Sequence, residues 1–224
     1  MIAKAEREQI IALINREVVP AIGCTEPIAV ALCVAKATET LGCKPEKIQA
    51  LLSANILKNA MGVGIPGTGM IGLPIAIALG ALIGKSEYQL EVLKDSTPEA
   101  VEAGKKLIDS QAINIGLKYG IEEKLYIEII CEAEGKKATA IISGGHTNFV
   151  YVARGEEVLV NKQAASASET ASDDVELTLR KVYDFAMETP IEELKFILET
   201  RNLNKQAAER SFKGNYGHQL GETL

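Results

Sequence analysis

Glycine spacing in the second quarter of the chain limits the fold more than any other feature. Between Asn59 and Gly72 the sequence places Gly62, Gly64, Gly67, Gly69 and Gly72, with Pro66 among them. Glycine at that density weakens both helix and strand, so no regular element is expected over 59–72. The wider window Met61–Ile83 is the most apolar in the chain. Its six glycines, Pro66 and Pro74 would leave backbone groups unpaired in lipid. It reads as a buried loop leading into a short core helix over about 72–83, and not as a membrane span.

At 224 residues the chain is long enough for one large domain or two small ones with a sizeable core. With no Trp, four Phe and six Tyr against 47% hydrophobic residues, that core must be aliphatic. A net charge of -6 and the lack of any Lys/Arg run exclude the basic face that a nucleic-acid partner requires. The opening MIAKAEREQ has no apolar stretch of the signal-peptide kind. Cys24, Cys33, Cys43 and Cys131 are too sparse for a disulfide scaffold. Reduced thiols in the cytoplasm are the expectation.

Apolar Ile10, Ile11, Leu13, Ile14 and Val18 share the face of a helix over 4–19, which Pro20 ends. A turn at Gly23–Pro27 opens an Ala-rich helix over 28–41. Thr25 serves as its N-cap, Pro27 lies in its first turn and Gly42 stops it. Ile48–Ser53 fits either a short strand or the start of a buried helix. Thr97 caps a further helix over 98–110. The period then falls to two: 113–119, 125–133, 137–143, 149–153 and 157–160 read as strands. Glu134-Gly135 and Arg154-Gly155 are their hairpin turns, giving an antiparallel meander. Residues 164–174 (AASASETASDD) are small and polar, a linker or exposed loop. Helices follow over 174–187 and 191–210. The class is α+β: N-terminal helices and a Gly-rich loop, a central antiparallel sheet, and C-terminal helices. The chain divides as 1–163, a linker over 164–174, and a helical segment over 175–224.

Three segments place chemically useful side chains where the backbone must turn. In Gly23-Cys24-Thr25-Glu26-Pro27 a cysteine just ahead of a helix faces unpaired N–H groups and the positive end of the dipole. Both favour thiolate, which can act as base, nucleophile or metal ligand, and the same N–H groups suit a carboxylate. The plainer reading is a structural cysteine beside a capping threonine. In the second segment, Asn55, Lys58 and Asn59 lead into the glycine loop that carries Thr68. Backbone amides there can approach an anion, and Lys58 fits either a carboxylate ligand or an exposed helix-end lysine. The stretch Gly62-Val63-Gly64-Ile65-Pro66-Gly67 fits G-x-G-x-x-G only weakly, and no Gly-Lys-Ser/Thr triplet closes a phosphate loop. In the third, Ser143-Gly144-Gly145-His146-Thr147-Asn148, His146 ends a strand. It can bind a ligand or move a proton, or bond local backbone. His218 has no such setting. Cys33 and Cys131 read as core residues and Cys43 as near-surface, with no zinc-like spacing.

Together VVPAIGCTEPIAVAL (18–32), SANILKNAMGVGIPGTGMIGLPIAIALG (53–80) and SGGHTNFV (143–150) resemble the L-cysteine desulfidase family, which is related to the iron–sulfur L-serine dehydratases. The tail FKGNYGHQLGETL (212–224) is similar to that family as well. The resemblance implies a longer enzyme, whose further α-helical part carries the cysteines of a [4Fe-4S] cluster. Residues 1–163 are then its substrate-binding domain and 175–224 the start of a catalytic domain. The implied reaction is β-elimination from L-cysteine or L-serine, with an open iron drawing off the leaving group. Cys24 matches the family's motif cysteine and is implied as catalytic base or cluster ligand, with His146 catalytic beside it. Thr25, Glu26, Asn55, Lys58, Asn59, Thr68, Thr147 and Asn148 are implied in holding the substrate.

Cys33, Cys43 and Cys131 match no cluster position, so four cluster ligands cannot be assembled from these residues. The [4Fe-4S] cluster is therefore expected in the complete enzyme and not on this chain alone, which is expected to be inactive by itself. The partners implied are a small amino-acid substrate and either the further C-terminal part or a separate cluster-carrying subunit, with room for a homo-oligomer. No nucleic-acid or membrane partner is expected. The alternative is a non-catalytic amino-acid-binding or regulatory domain.

Overall fold

The computed structural model of the protein describes residues 2–162 and 175–214. The 164–174 stretch and His218 with its tail lie outside the described residues. The rest falls into two compact units, one of residues 21–162 and one joining residues 2–20 to 175–214. Among the described residues no helix is long and apolar enough to cross a membrane.

In the larger unit, α2 (Thr25–Leu41) is buried on every side between Pro27 and Ala35. A helix apolar all round must lie inside a fold. Each fully buried Leu or Ile contributes roughly 1.5–3 kcal/mol. The helix stops at Gly42, whose φ of 82° places it in the left-handed region. Its N-cap is Cys24, not Thr25, which is the first helical residue.

After β1 (Lys47–Leu52), the buried Ser53 accepts a hydrogen bond from Ile56 N and caps α3 (Ala54–Ala60). The undecided stretch is therefore a strand up to Leu52. The glycine loop is more regular than its composition suggests: β2 (Gly64–Ile65) pairs antiparallel with β3 (Met70–Ile71). Helices α4 (Leu73–Leu82) and α5 (Pro98–Asp109) follow, the second capped by Thr97, which accepts from Ala100 N.

Five more strands complete the unit: β4 (Ile113–Leu117), β5 (Tyr126–Ala133), β6 (Lys136–Ser143), β7 (Phe149–Arg154) and β8 (Glu157–Asn161). The main sheet has the order β4-β1-β5-β6-β7-β8. From β5 to β8 it is the expected antiparallel meander, turning at Glu134-Gly135 with both residues at positive φ. The sheet as a whole is mixed, because β1 pairs parallel with β4, Ile48 opposite Ile113. Parallel neighbours need a long crossover, and the run from α3 through α5 supplies it.

One face of the sheet carries the core: Ile48, Ala50 and Leu52 of β1, Ile127, Ile129 and Cys131 of β5, and Ala138, Ala140 and Ile142 of β6 are buried. Helix α2 lies on β5 and β6, α4 packs on α2, and α5 on α4. The α2–α4 contact is unusually close: a Cβ at Gly80 would stand 2.6 Å from the carbonyl oxygen of Ala31.

The smaller unit groups α1 (Lys4–Glu17) with α6 (Leu179–Glu188), a 3-10 segment (Ile191–Ile197) and α7 (Leu198–Phe212). The sequence predicts α1 as part of the domain over 1–163. Ion pairs tie it instead to the far end of the chain: Arg7 donates twice to Glu193, at 3.1 and 3.0 Å, and Lys181 meets Glu6 at 2.9 Å.

A side chain at position 80 must force α2 and α4 apart. Gly80→Val should cost about 1–3 kcal/mol, read as a lower urea midpoint with unchanged slope. A midpoint at or above that of the wild type would contradict the close packing.

Candidate functional site

Two of the three sequence motifs hydrogen-bond the carboxylate of Glu26, and the third reaches it through charge alone. This residue sits in the first turn of α2, where the dipole favours an acidic group. Cys24 Sγ donates to Glu26 Oε2 at 3.0 Å, Thr25 Oγ1 donates to the same oxygen at 3.3 Å, and Asn59 Nδ2 donates to Oε1 at 3.3 Å. His146, from the loop between β6 and β7, stands close enough to act on the carboxylate through its charge. Cys24, Thr25, Glu26, Asn59 and His146 are all half-buried, so the group is sheltered yet open to a small ligand.

Local sequence explains how these residues come together. Asn59 lies near the end of α3, which Ser53 fixes at its start while donating Oγ to the carbonyl of Lys124 at 2.7 Å. Gly23 lets the turn before α2 approach the glycine loop, since a Cβ there would stand 2.9 Å from Pro66 Cγ, at a φ of 159°. The loop in turn closes where Gly72 N donates to Val63 O at 2.8 Å. Ser53 and Pro66 received no role in the sequence reading. The signals were present: a serine between a strand and a short helix, and a proline inside a glycine run.

Electrostatics reverse one expectation. The bond from Cys24 comes first in holding Glu26 below the usual carboxylate range, against desolvation. Its own backbone amide, Asn59 and His146 act in the same direction. The Cys24 thiol is pushed up, first by desolvation and then by its bond to the Glu26 carboxylate, while the Glu26 amide pulls the other way. The dipole argument favoured thiolate, but an adjacent anion and partial burial outweigh it. The site is a resting thiol beside a carboxylate anion.

The other motif residues are placed differently. Asn55 and Lys58 are exposed on α3. Thr68 spends its hydroxyl inside the hairpin, donating to Ile65 O at 2.7 Å and accepting from Met70 N at 3.0 Å. Asn148 closes its own loop by donating Nδ2 to Ser143 O at 2.9 Å, and Thr147 is exposed.

Cys33 and Cys131 are fully buried, with Cys33 donating to Ala140 O at 3.3 Å, and Cys43 is half-buried. Among the described residues no group of three or more His, Cys, Asp or Glu side chains is placed to hold a metal ion.

Over 224 residues the chain is 80% identical to a UPF0597 protein of Phocaeicola vulgatus, covering 100% of this chain and 52% of that relative. A UPF0597 protein of Bacteroides thetaiotaomicron is 68% identical over 221 residues, and one of Porphyromonas gingivalis 50% over 224, each again matched over 52% of its length. The chain thus spans about half the length of the curated relatives it matches. No family model matches it, and no solved structure does.

Because the Glu26 charge raises the Cys24 pKa, removing it should restore thiolate. Glu26→Gln should speed alkylation of Cys24 by iodoacetamide at pH 7.5 several-fold, with the modified residue identified by mass spectrometry. An unchanged or slower rate would contradict the pairing.

Proposed function

We propose that this chain is the substrate-binding part of a cytoplasmic amino-acid lyase that performs β-elimination on L-cysteine or L-serine. The observation that carries the reading is the convergence of hydrogen bonds from the Gly23–Pro27 turn and from Asn59 on one carboxylate, whose charge His146 also favours. The [4Fe-4S] cluster of the resembled family belongs, in this reading, to the further half of the enzyme or to a separate subunit.

The chain's own groups divide the remaining work. An anionic Glu26 suits the α-ammonium of an amino acid, and the amide N–H groups at the start of α2 suit its carboxylate. Cys24 Sγ is the base for the α-proton. A raised pKa makes its thiolate scarcer but more basic, and substrate ammonium paired with Glu26 would lower the cost of forming it. His146 is the group that passes protons onward. Loss of the α-proton and of sulfide, or of water from serine, leaves aminoacrylate. Tautomerisation and hydrolysis of that product give pyruvate and ammonia.

A second reading, a non-catalytic amino-acid-binding module, is favoured by one observation: the described residues offer a half-buried anion and donors but no metal-holding group. The two readings separate experimentally. The chain is co-expressed anaerobically with the unmatched half of the Phocaeicola vulgatus relative, and the assembly is given L-cysteine and L-serine. Pyruvate should form from at least one, with sulfide from cysteine, and Cys24→Ala should lower the rate at least 100-fold. Pyruvate from neither, with calorimetric binding of either amino acid to the chain, would replace the lyase by the binding module.

A further inference from the structure

Helix α6 carries its apolar stripe on the wrong side for a helix that packs only within its own unit. At 100° per residue, Leu179, Val182, Tyr183, Ala186 and Met187 fall on one face of Leu179–Glu188. The opposite face holds Lys181, Phe185 and Glu188. That opposite face makes the contacts to the start of the chain: Lys181 to Glu6 at 2.9 Å, and Glu188 Oε2 accepting from Ile2 N at 2.8 Å, with Phe185 buried. The stripe is left in water, with Leu179 88% and Met187 68% exposed. Ile191, just beyond the helix, is 75% exposed as well. An exposed ion pair, Arg180 with Asp184 at 2.9 Å, borders it in the way a polar rim borders an interface.

The smaller unit also has too little core to stand as it is. Its only buried apolar side chains among the described residues are Ile10 and Phe185. Two such side chains offset little of the backbone entropy lost when the unit is ordered. The unit must complete its core against something, and a contiguous exposed apolar patch of this kind marks an interaction surface.

We propose that the α6 stripe is the docking surface for the polypeptide corresponding to the half of the relatives that this chain does not match. Each of those relatives is about twice the length of the matched region, which covers 52% of it. That half is thus large enough to bury the stripe. Helix α6 serves as the amphipathic helix laid into an apolar groove. The inference rests on the reading of this chain as part of a larger enzyme, but its test involves no turnover.

The test is co-purification. A tagged 224-residue chain is co-expressed with the untagged unmatched half of the Phocaeicola vulgatus relative, and light scattering gives the stoichiometry of what is recovered. A soluble one-to-one complex is expected. Leu179→Asp with Met187→Asp, and separately Tyr183→Glu, should each reduce the recovered half at least tenfold, with circular dichroism of the tagged chain unchanged. Lys205→Glu, on the exposed α7, should recover it in full.

Failure of the wild-type chain to bring down the half would overturn the proposal, as would recovery that the α6 substitutions leave intact. A dimer of the tagged chain alone that the same substitutions split would assign the stripe to a second copy, and would overturn it too. A complex that forms and makes no pyruvate would sink the lyase reading while leaving the docking surface in place.

Discussion

The contact of α2 with α4 at Gly80 and Ala31 sets the geometry on which the rest depends. With only a hydrogen on Gly80, the two backbones close to a distance that any side chain would forbid. The two most apolar helices of the chain then stack over the sheet through α2, and α5 packs on α4. Because α2 is buried along most of its length, its position is fixed by packing rather than by propensity. Its first turn is correspondingly rigid. Cys24, Thr25 and Glu26 are carried at that turn, at the start of a buried helix.

The site uses the same economy of contacts. Glu26 gathers donors from two places in the sequence because each is held nearby: the turn by its close approach to Pro66 at Gly23, and Asn59 by a helix capped at Ser53, while His146 acts on it only through charge. A carboxylate so surrounded stays ionised, and the thiol beside it stays protonated. In the proposed reaction that division would leave the base to be released by the substrate's ammonium group rather than by the helix dipole.

Much of the fold was legible because it rests on local rules. Gly42 and Thr97 ended and began helices as their chemistry dictates, and Glu134-Gly135 turned the hairpin between β5 and β6. The parallel pairing of β1 with β4 was not legible, since no residue in Ile113–Leu117 marks which neighbour it takes. Nor was the grouping of α1 with the C-terminal helices, which depends on Arg7–Glu193 and Lys181–Glu6 pairs far apart in sequence. At the site, the residue types in the motifs pointed to Cys24, Glu26, Asn59 and His146, but Thr68 and Asn148 turned out to hold their own loops. The direction of the Cys24 shift differs from the dipole argument for a physical reason: the dipole could be read from sequence, but the partial burial of the thiol and the turn of the Glu26 carboxylate onto Sγ could not.

The central claim is that the first turn of α2, with Asn59 and His146, receives the amino group and carboxylate of a small amino acid. Amide chemical shifts of the 224-residue chain, followed through a titration with L-cysteine and L-serine, test it directly. The account predicts saturable shifts concentrated at Cys24–Ile28, Asn59 and His146, and their loss in Glu26→Gln. No shifts there, or shifts confined to the shallow depression lined by Glu46, Lys47 and Glu132–Lys137, would contradict it.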